Sequence, residues 1–228
     1  MSVDGNSGPS YDAIIVRPPS DGVEIKNCNI DNWGGTGIIL EEEDDSSDNI
    51  FDDVVINTKI TNVIVSNSNY GIEVSGDNHG TIIKDVVVKD NARDGIYIFE
   101  SNDVTLENIV SRNNNEKGIW FEDVFTDITA IKDIVTINNG GEGLLIDSNV
   151  ANVNVKLLQD IVACNNLRDI IFTDGTGTTT IEEYDGTIIC SFDFIGLGNC
   201  DVPTNELTGT CGVDTSIEEE VCEISGLA

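Results

Sequence analysis

Asp85-Val-Val-Val-Lys-Asp90, followed after four residues by Gly95-Ile-Tyr-Ile98, is the stretch that decides the fold. The first half returns as Asn62-Val-Ile-Val-Ser-Asn67, Asn108-Ile-Val-Ser-Arg-Asn113, Asp133-Ile-Val-Thr-Ile-Asn138 and Asp160-Ile-Val-Ala-Cys-Asn165, with weaker copies from Asn27 and Gly186. After the long first interval, 27 to 62, successive copies start 23 to 27 residues apart. The second half returns as Gly37-Ile-Ile-Leu40, Gly71-Ile-Glu-Val74, Gly118-Ile-Trp-Phe121 and Gly143-Leu-Leu-Ile146, then as Asp169-Ile-Ile-Phe172 without its glycine. A third apolar run, as in Thr81-Ile-Ile or Val104-Thr-Leu, lies between them.

Short β-branched runs bounded by polar turns are strands, and a fixed period of this length marks a stacked repeat. Three strands in about 24 residues cannot bury their own apolar faces. Laid coil on coil about 4.8 Å apart, they share one core and every backbone group finds a partner. The expected fold is therefore all-β, a right-handed parallel β-helix of about seven three-strand rungs. Residues 1–20 form a lead-in, residues 21–195 the repeats, and residues 196–228 a cysteine-bearing C-terminal cap or tail. Asn and Asp at the first and sixth motif positions suit left-handed turns and side-chain stacking from coil to coil. The glycine suits either a positive φ or a close backbone approach.

Forty-two acidic residues against eleven basic ones give a formal charge of −31. Nucleic acid and anionic membranes are poor partners on this balance, and neither nucleic-acid binding nor membrane insertion is expected. No run of 18 apolar residues is present to insert in a membrane. Met1–Ser10 lacks the features of a signal peptide. Three of the six cysteines, Cys200, Cys211 and Cys222, crowd the tail, a density that points to disulfides and an oxidising compartment; the expectation is an extracellular or cell-surface protein, with an N-terminal piece expected to precede this sequence. Cys164 and Cys190 share a motif position on adjacent rungs, within disulfide reach, whereas Cys28 is expected as a buried thiol.

The paired Gly-Ile-x-Val/Ile and Asn-x-x-Val-x-Asn runs resemble the parallel β-helix repeat of the pectin-lyase-like superfamily, over residues 21 to about 195. That superfamily includes lyases, hydrolases, epimerases, adhesins and stalks, so the resemblance implies a fold more than an activity. Asn78-His79-Gly80 matches half of the Gly-His-Gly motif of its galacturonan hydrolases. Their Asn-Thr-Asp and Arg-Ile-Lys motifs and the Asp-Pro-His-Glu signature of alginate epimerases are absent. His79 is accordingly expected as an exposed turn residue.

Stacking predicts one outward column, Ile39, Glu73, Tyr97, Trp120, Leu145 and Ile171. An aromatic stripe on a solvated face is unusual, and Glu73, Tyr97 and Trp120 are the expected carbohydrate-binding residues. Glu100, Glu122, Asp123, Asp147 and Asp174 lie just beyond it; the resemblance to lyases implies a calcium ion bridging such carboxylates to an acidic polysaccharide. Arg93, Lys117 and Arg168, on the opposite flank with Asp94 and Glu142, would suit proton abstraction in a polysaccharide lyase. The acidic insert Glu41–Asp53, eight of thirteen residues, is expected as a solvated loop. The leading expectation is an extracellular β-helix that binds or processes polysaccharide along this groove. The alternatives are a non-catalytic structural or adhesive repeat protein and a degenerate pectin-lyase-like enzyme.

Overall fold

The structure, a computed structural model, describes residues 2–4, 11–41, 54–76, 78–123, 127–147, 153–173, 179–190, 194–195 and 223–225. Seven long strands pair in parallel and in chain order: Glu24–Asp31, Lys59–Ser66, Ile82–Lys89, Val104–Arg112, Asp127–Ile137, Val153–Cys164 and Thr179–Cys190. A second parallel sheet, also in chain order, carries Ile14–Val16, Ile38–Leu40, Ile72–Ser75, Ile96–Phe99, Ile119–Glu122, Glu142–Asp147, Arg168–Thr173 and Phe194–Ile195. Among the described residues this is an all-β parallel solenoid, as the repeat predicts.

Two of the three expected strands of each coil run as one bent strand. Thr81-Ile-Ile and Asp85-Val-Val-Val fall together in Ile82–Lys89, and the bend sits at Asp85, whose φ is 54°. Every Asn or Asp at the first and sixth positions of the six copies from Asn27 to Asn165 has a positive φ. These residue types tolerate the left-handed region because a short polar side chain can bond locally. The third side is narrow: Ser20–Asp21 pairs with Val55–Ile56, and His79 bridges Ile56 and Asn102. His79 is therefore a half-buried member of a bridge and not an exposed turn residue.

The core is one aliphatic column, in which Val63, Val86, Ile109, Ile134 and Ile161 stand in register and are fully buried. Polar ladders run beside it. Asn62 Nδ2 donates to Asn27 Oδ1 at 2.9 Å, and Asn108 Nδ2 to Asp85 Oδ1 at 2.7 Å. A second ladder, which the motif reading missed, is buried. Asn91, Asn114 and Asn139 each donate Nδ2 to the Oδ1 of the asparagine one coil on, at 2.9 to 3.0 Å, ending at Asn166. The same Oδ1 atoms accept the backbone N–H of the preceding ladder residue at 3.0 to 3.2 Å. Asp169 ends the ladder, taking Asn166 Nδ2 at 3.1 Å.

The repeated glycines serve close approach and not positive φ. A Cβ on Gly118 would stand 2.5 Å from the Gly143 carbonyl oxygen and 2.7 Å from Asn139 Nδ2.

Cysteine placement differs from expectation in two ways. Cys28 is disulfide-bonded, not a free thiol, and Cys164 is also disulfide-bonded. Cys190 stands in register with Ala163, not Cys164, because a bulge at Gly186 adds one residue to its strand. At the first coil, Ser2–Asp4 pairs in parallel with Asn29–Asp31 and Glu223–Ser225 pairs antiparallel with Glu24–Lys26. Thus the end of the tail meets the N-terminal edge, while residues 196–222 lie outside the described residues.

Candidate functional site

The predicted outward column is in register across six coils: Ile39, Glu73, Tyr97, Trp120, Leu145, Ile171. Its flanking residues point inward, as alternation on a strand requires; Ile96, Ile98, Ile119 and Phe121 are fully buried. The column is not uniformly open. Ile39, Leu145 and Ile171 are buried, while Glu73, Tyr97 and Trp120 are half-buried. The accessible part therefore coincides with the three expected binding residues.

Aromatic rings extend this part into a ladder. Tyr97 lies 4.8 Å from Trp120, 5.9 Å from Tyr70 and 6.1 Å from Phe99, centroid to centroid, all within the range of favourable ring pairs. Tyr70 escaped the motif reading because it precedes its glycine and so belongs to a turn column. The indole Nε1 of Trp120 is buried without an acceptor, so the ring turns carbon outward.

The flanking cations are already engaged. The Arg93 guanidinium lies 4.7 Å from the Tyr70 centroid and its Nε donates to Glu116 at 3.4 Å. Lys117 Nζ sits 3.6 Å from the Trp120 centroid and 4.0 Å from Asp94 Oδ1. Arg168 is ion-paired with Glu142 on the neighbouring coil. The three residues considered for proton abstraction thus act here as ring caps and ion-pair partners.

Two carboxyls beside the ladder are shifted upward. Burial raises Glu73, offset in part by the Thr36 hydroxyl, which donates to Glu73 Oε2 at 3.2 Å. Burial likewise raises Asp94, whose Oδ1 accepts the Lys117 backbone N–H at 2.8 Å and whose Oδ2 has no hydrogen-bond partner. Tyr97 is pushed well above the usual phenol value by burial and by the Glu122 carboxylate that accepts its proton.

The carboxylates considered for calcium fall at two kinds of position. Glu122 and Asp147 share a column, whereas Glu100 and Asp123 stand at left-handed turn positions after their strands. Glu122 Oε2 accepts from Tyr97, and among the described residues no three acidic, His or Cys side chains converge on a metal position. Asp174 and residues 42–53 lie outside the described residues. At the inner border of that insert, Arg17 Nε pairs with Glu41 at 3.0 Å.

The family described as right handed beta helix region matches residues 12–185, and the chain belongs to that family. Among solved structures, the chain is similar to full-length tailspike protein 2 from Escherichia coli O157:H7 bacteriophage CAB120. The identity is 12%, the TM-score 0.38, and the match covers 83% of this chain but only 34% of the tailspike, so the chain spans about a third of that protein. No curated protein matches this chain.

Proposed function

We propose that this chain is a secreted or cell-surface β-helix protein that binds polysaccharide along the Glu73, Tyr97 and Trp120 column. The observation that carries the reading is the Tyr70–Tyr97–Trp120 ring ladder, held on rigid strands at coil spacing on an outward face. Aromatic faces carry partial negative charge and attract the polarised C–H groups of a sugar ring. Rings repeated along a straight column suit a repeating polymer better than a single small ligand. Half-buried Glu73 at the end of the ladder adds a hydroxyl-recognising group. The disulfide-bonded state of Cys28 and Cys164 supports an oxidising compartment.

The reading is binding, not turnover. Arg93, Lys117 and Arg168 each face a carboxylate or a ring, so none of these three is poised as a free base. The rival, an adhesive or structural repeat that buries the ladder against protein, shares the same surface.

The test is retention of the full chain on immobilised neutral glycans and polyuronates, with unsaturated product followed by ultraviolet absorbance. Retention by the wild type that is lost in Tyr97→Ala and Trp120→Ala, with no change in molecular mass, supports the proposal. Loss of an assembly in those variants favours the adhesive reading, and product formation would restore a lyase.

A further inference from the structure

Cations in this solenoid are neutralised from coil to coil. Eight of the eleven basic residues have a carboxylate within 4.0 Å. On the first sheet, Glu107 stands in register between Lys84 and Lys132 and pairs with both. Among the described residues, Lys59, Lys89 and Arg112 make no ion pair. Lys59 at least stands in register with Glu24. Lys89 and Arg112 stand in register with each other, on consecutive coils.

Nothing along their column offsets the two charges. Their inner neighbours Val88 and Ser111 are fully buried, so alternation turns Lys89 and Arg112 outward, where both are half-buried. The column continues through Ser66 to Asp31 on one side and to Ile137 on the other. Asp31 is two strand spacings, about 10 Å, from Lys89 and acts on it through its field alone. Its Oδ1 already accepts from Ser66 Oγ at 2.7 Å and from Asn67 Nδ2 at 2.6 Å. Asp90, at the adjoining turn, accepts from Asn113 Nδ2 at 3.1 Å. Like charges directly opposed on neighbouring strands repel and weaken a sheet. With 42 acidic residues in the chain, a cation pair left without one is an exception to its own pattern.

The Arg112 guanidinium is likewise unsatisfied. Its Nε is buried with no hydrogen-bond partner, and its terminal nitrogens, with no acceptor among the described residues, stay open to solvent. Unpaired buried donors are rare and mark a missing acceptor. A guanidinium fork suits two oxygens of one oxyanion, and the lysine beside it adds a point charge. A tetrahedral dianion matches both cations; a carboxylate matches one.

We infer that Lys89 and Arg112 form an anion site for a phosphate-type group, held between two coils on the outer face of the first sheet. The site is independent of the aromatic ladder, which lies on the second sheet. Free phosphate and a phosphate monoester on a larger molecule share this chemistry.

Titration of the isotopically labelled full chain with sodium phosphate, read by NMR at the Arg112 Nε–Hε signal, tests this. The pH is mildly alkaline, where phosphate is a dianion, and ionic strength is held constant with sodium chloride. The expected result is a saturable shift with phosphate and a much weaker response to acetate. Lys89→Gln and Arg112→Gln should each weaken phosphate binding about tenfold, with thermal melts confirming that both variants fold. Methyl phosphate binding as tightly as inorganic phosphate would support the site with an esterified ligand, and inorganic phosphate binding alone would support it with the free ion. A shift that never saturates, or saturable binding unchanged in both variants, would overturn the inference. Acetate binding as tightly as phosphate would overturn it too, in favour of a carboxylate clamp.

Discussion

Tyr97 donates its phenolic proton to Glu122 Oε2 at 2.5 Å, from one coil of the second sheet to the next. The bond fixes the tyrosine ring against Trp120 and removes Glu122 from any pool of free ligands. Burial and this carboxylate together hold the phenol protonated at all ordinary pH values. Tyr97→Phe keeps the ring and deletes only the donor. It should lower stability by about 1 kcal/mol while leaving glycan retention largely intact. Tyr97→Ala removes the ring and should abolish retention. Paired thermal melts and affinity electrophoresis separate the two effects; equal loss of retention in both variants would shift the recognition from ring to hydroxyl.

The buried asparagine ladder predicts a larger cost. In Asn139→Ala, the Asn114 backbone N–H and its Nδ2 both lose the Oδ1 they now reach at 3.0 Å. A buried donor left unsatisfied costs about 1–3 kcal/mol. Chemical denaturation should show a loss toward the upper end of that range or beyond it, with the slope unchanged. A loss below about 0.5 kcal/mol would mean that water replaces the amide.

One position lower in the motif, the same residue type is replaceable. Asn138 is exposed, with φ 55°. Glycine adopts that conformation freely, so Asn138→Gly should change stability by only a few tenths of a kcal/mol. Asn138→Val must force a β-branched residue into the left-handed region, at about 1–3 kcal/mol. The contrast between adjacent asparagines, one held for its amide and one for its backbone, is measurable in a single denaturation series.

That contrast also shows what the sequence discloses. The Asn/Asp positions that bend each coil were legible because their spacing is fixed and few residue types tolerate a positive φ. The register of Glu73, Tyr97 and Trp120 was legible because stacking leaves one alignment that keeps every isoleucine inward. The Asn91–Asn166 ladder was present as an asparagine after the sixth position, but a polar residue beside a turn reads as solvent-facing until its burial is known. The commitments of Lys117 to Trp120 and of Arg168 to Glu142 were not legible. They depend on side-chain direction, which spacing does not encode. The Gly186 bulge was hidden because Cys190 keeps its place in the motif while its strand slips by one.

Close packing of the coils predicts that Gly118→Ala fails where most glycine-to-alanine changes are mild. The added methyl would meet the Gly143 carbonyl oxygen at 2.5 Å and Asn139 Nδ2 of the buried ladder at 2.7 Å, and neither the backbone oxygen nor the hydrogen-bonded amide can give way cheaply. The cost should reach the upper end of the roughly 1–3 kcal/mol typical of overpacking. Gly22→Ala is the control, since no atom lies within 4 Å of its Cβ position and only its φ of 68° opposes the change. A smaller loss for Gly118→Ala than for Gly22→Ala would show that the coils separate easily.

Asp94 gives the pH prediction. Its side chain is fully buried, and burial raises its pKa above the ordinary carboxyl value, with the Lys117 backbone N–H and ammonium acting in the other direction. Glu116 and Arg93 face it with opposite signs. A carboxyl with a raised pKa in the folded state binds its proton more tightly there than in the unfolded chain. Its contribution to stability is therefore full below the unfolded value of 3.8 and is lost as pH rises through the raised folded value. Asp94→Asn retains an Oδ1 acceptor for Lys117 and carries no charge to desolvate. The variant should melt higher than the wild type at pH 7–8, and the gain should shrink as pH falls toward the unfolded carboxyl value. Thermal melts of both proteins across that range decide the matter. A variant that melts lower at neutral pH would show that the Asp94–Lys117 ion pair, with groups 4.0 Å apart, outweighs the desolvation of the carboxylate.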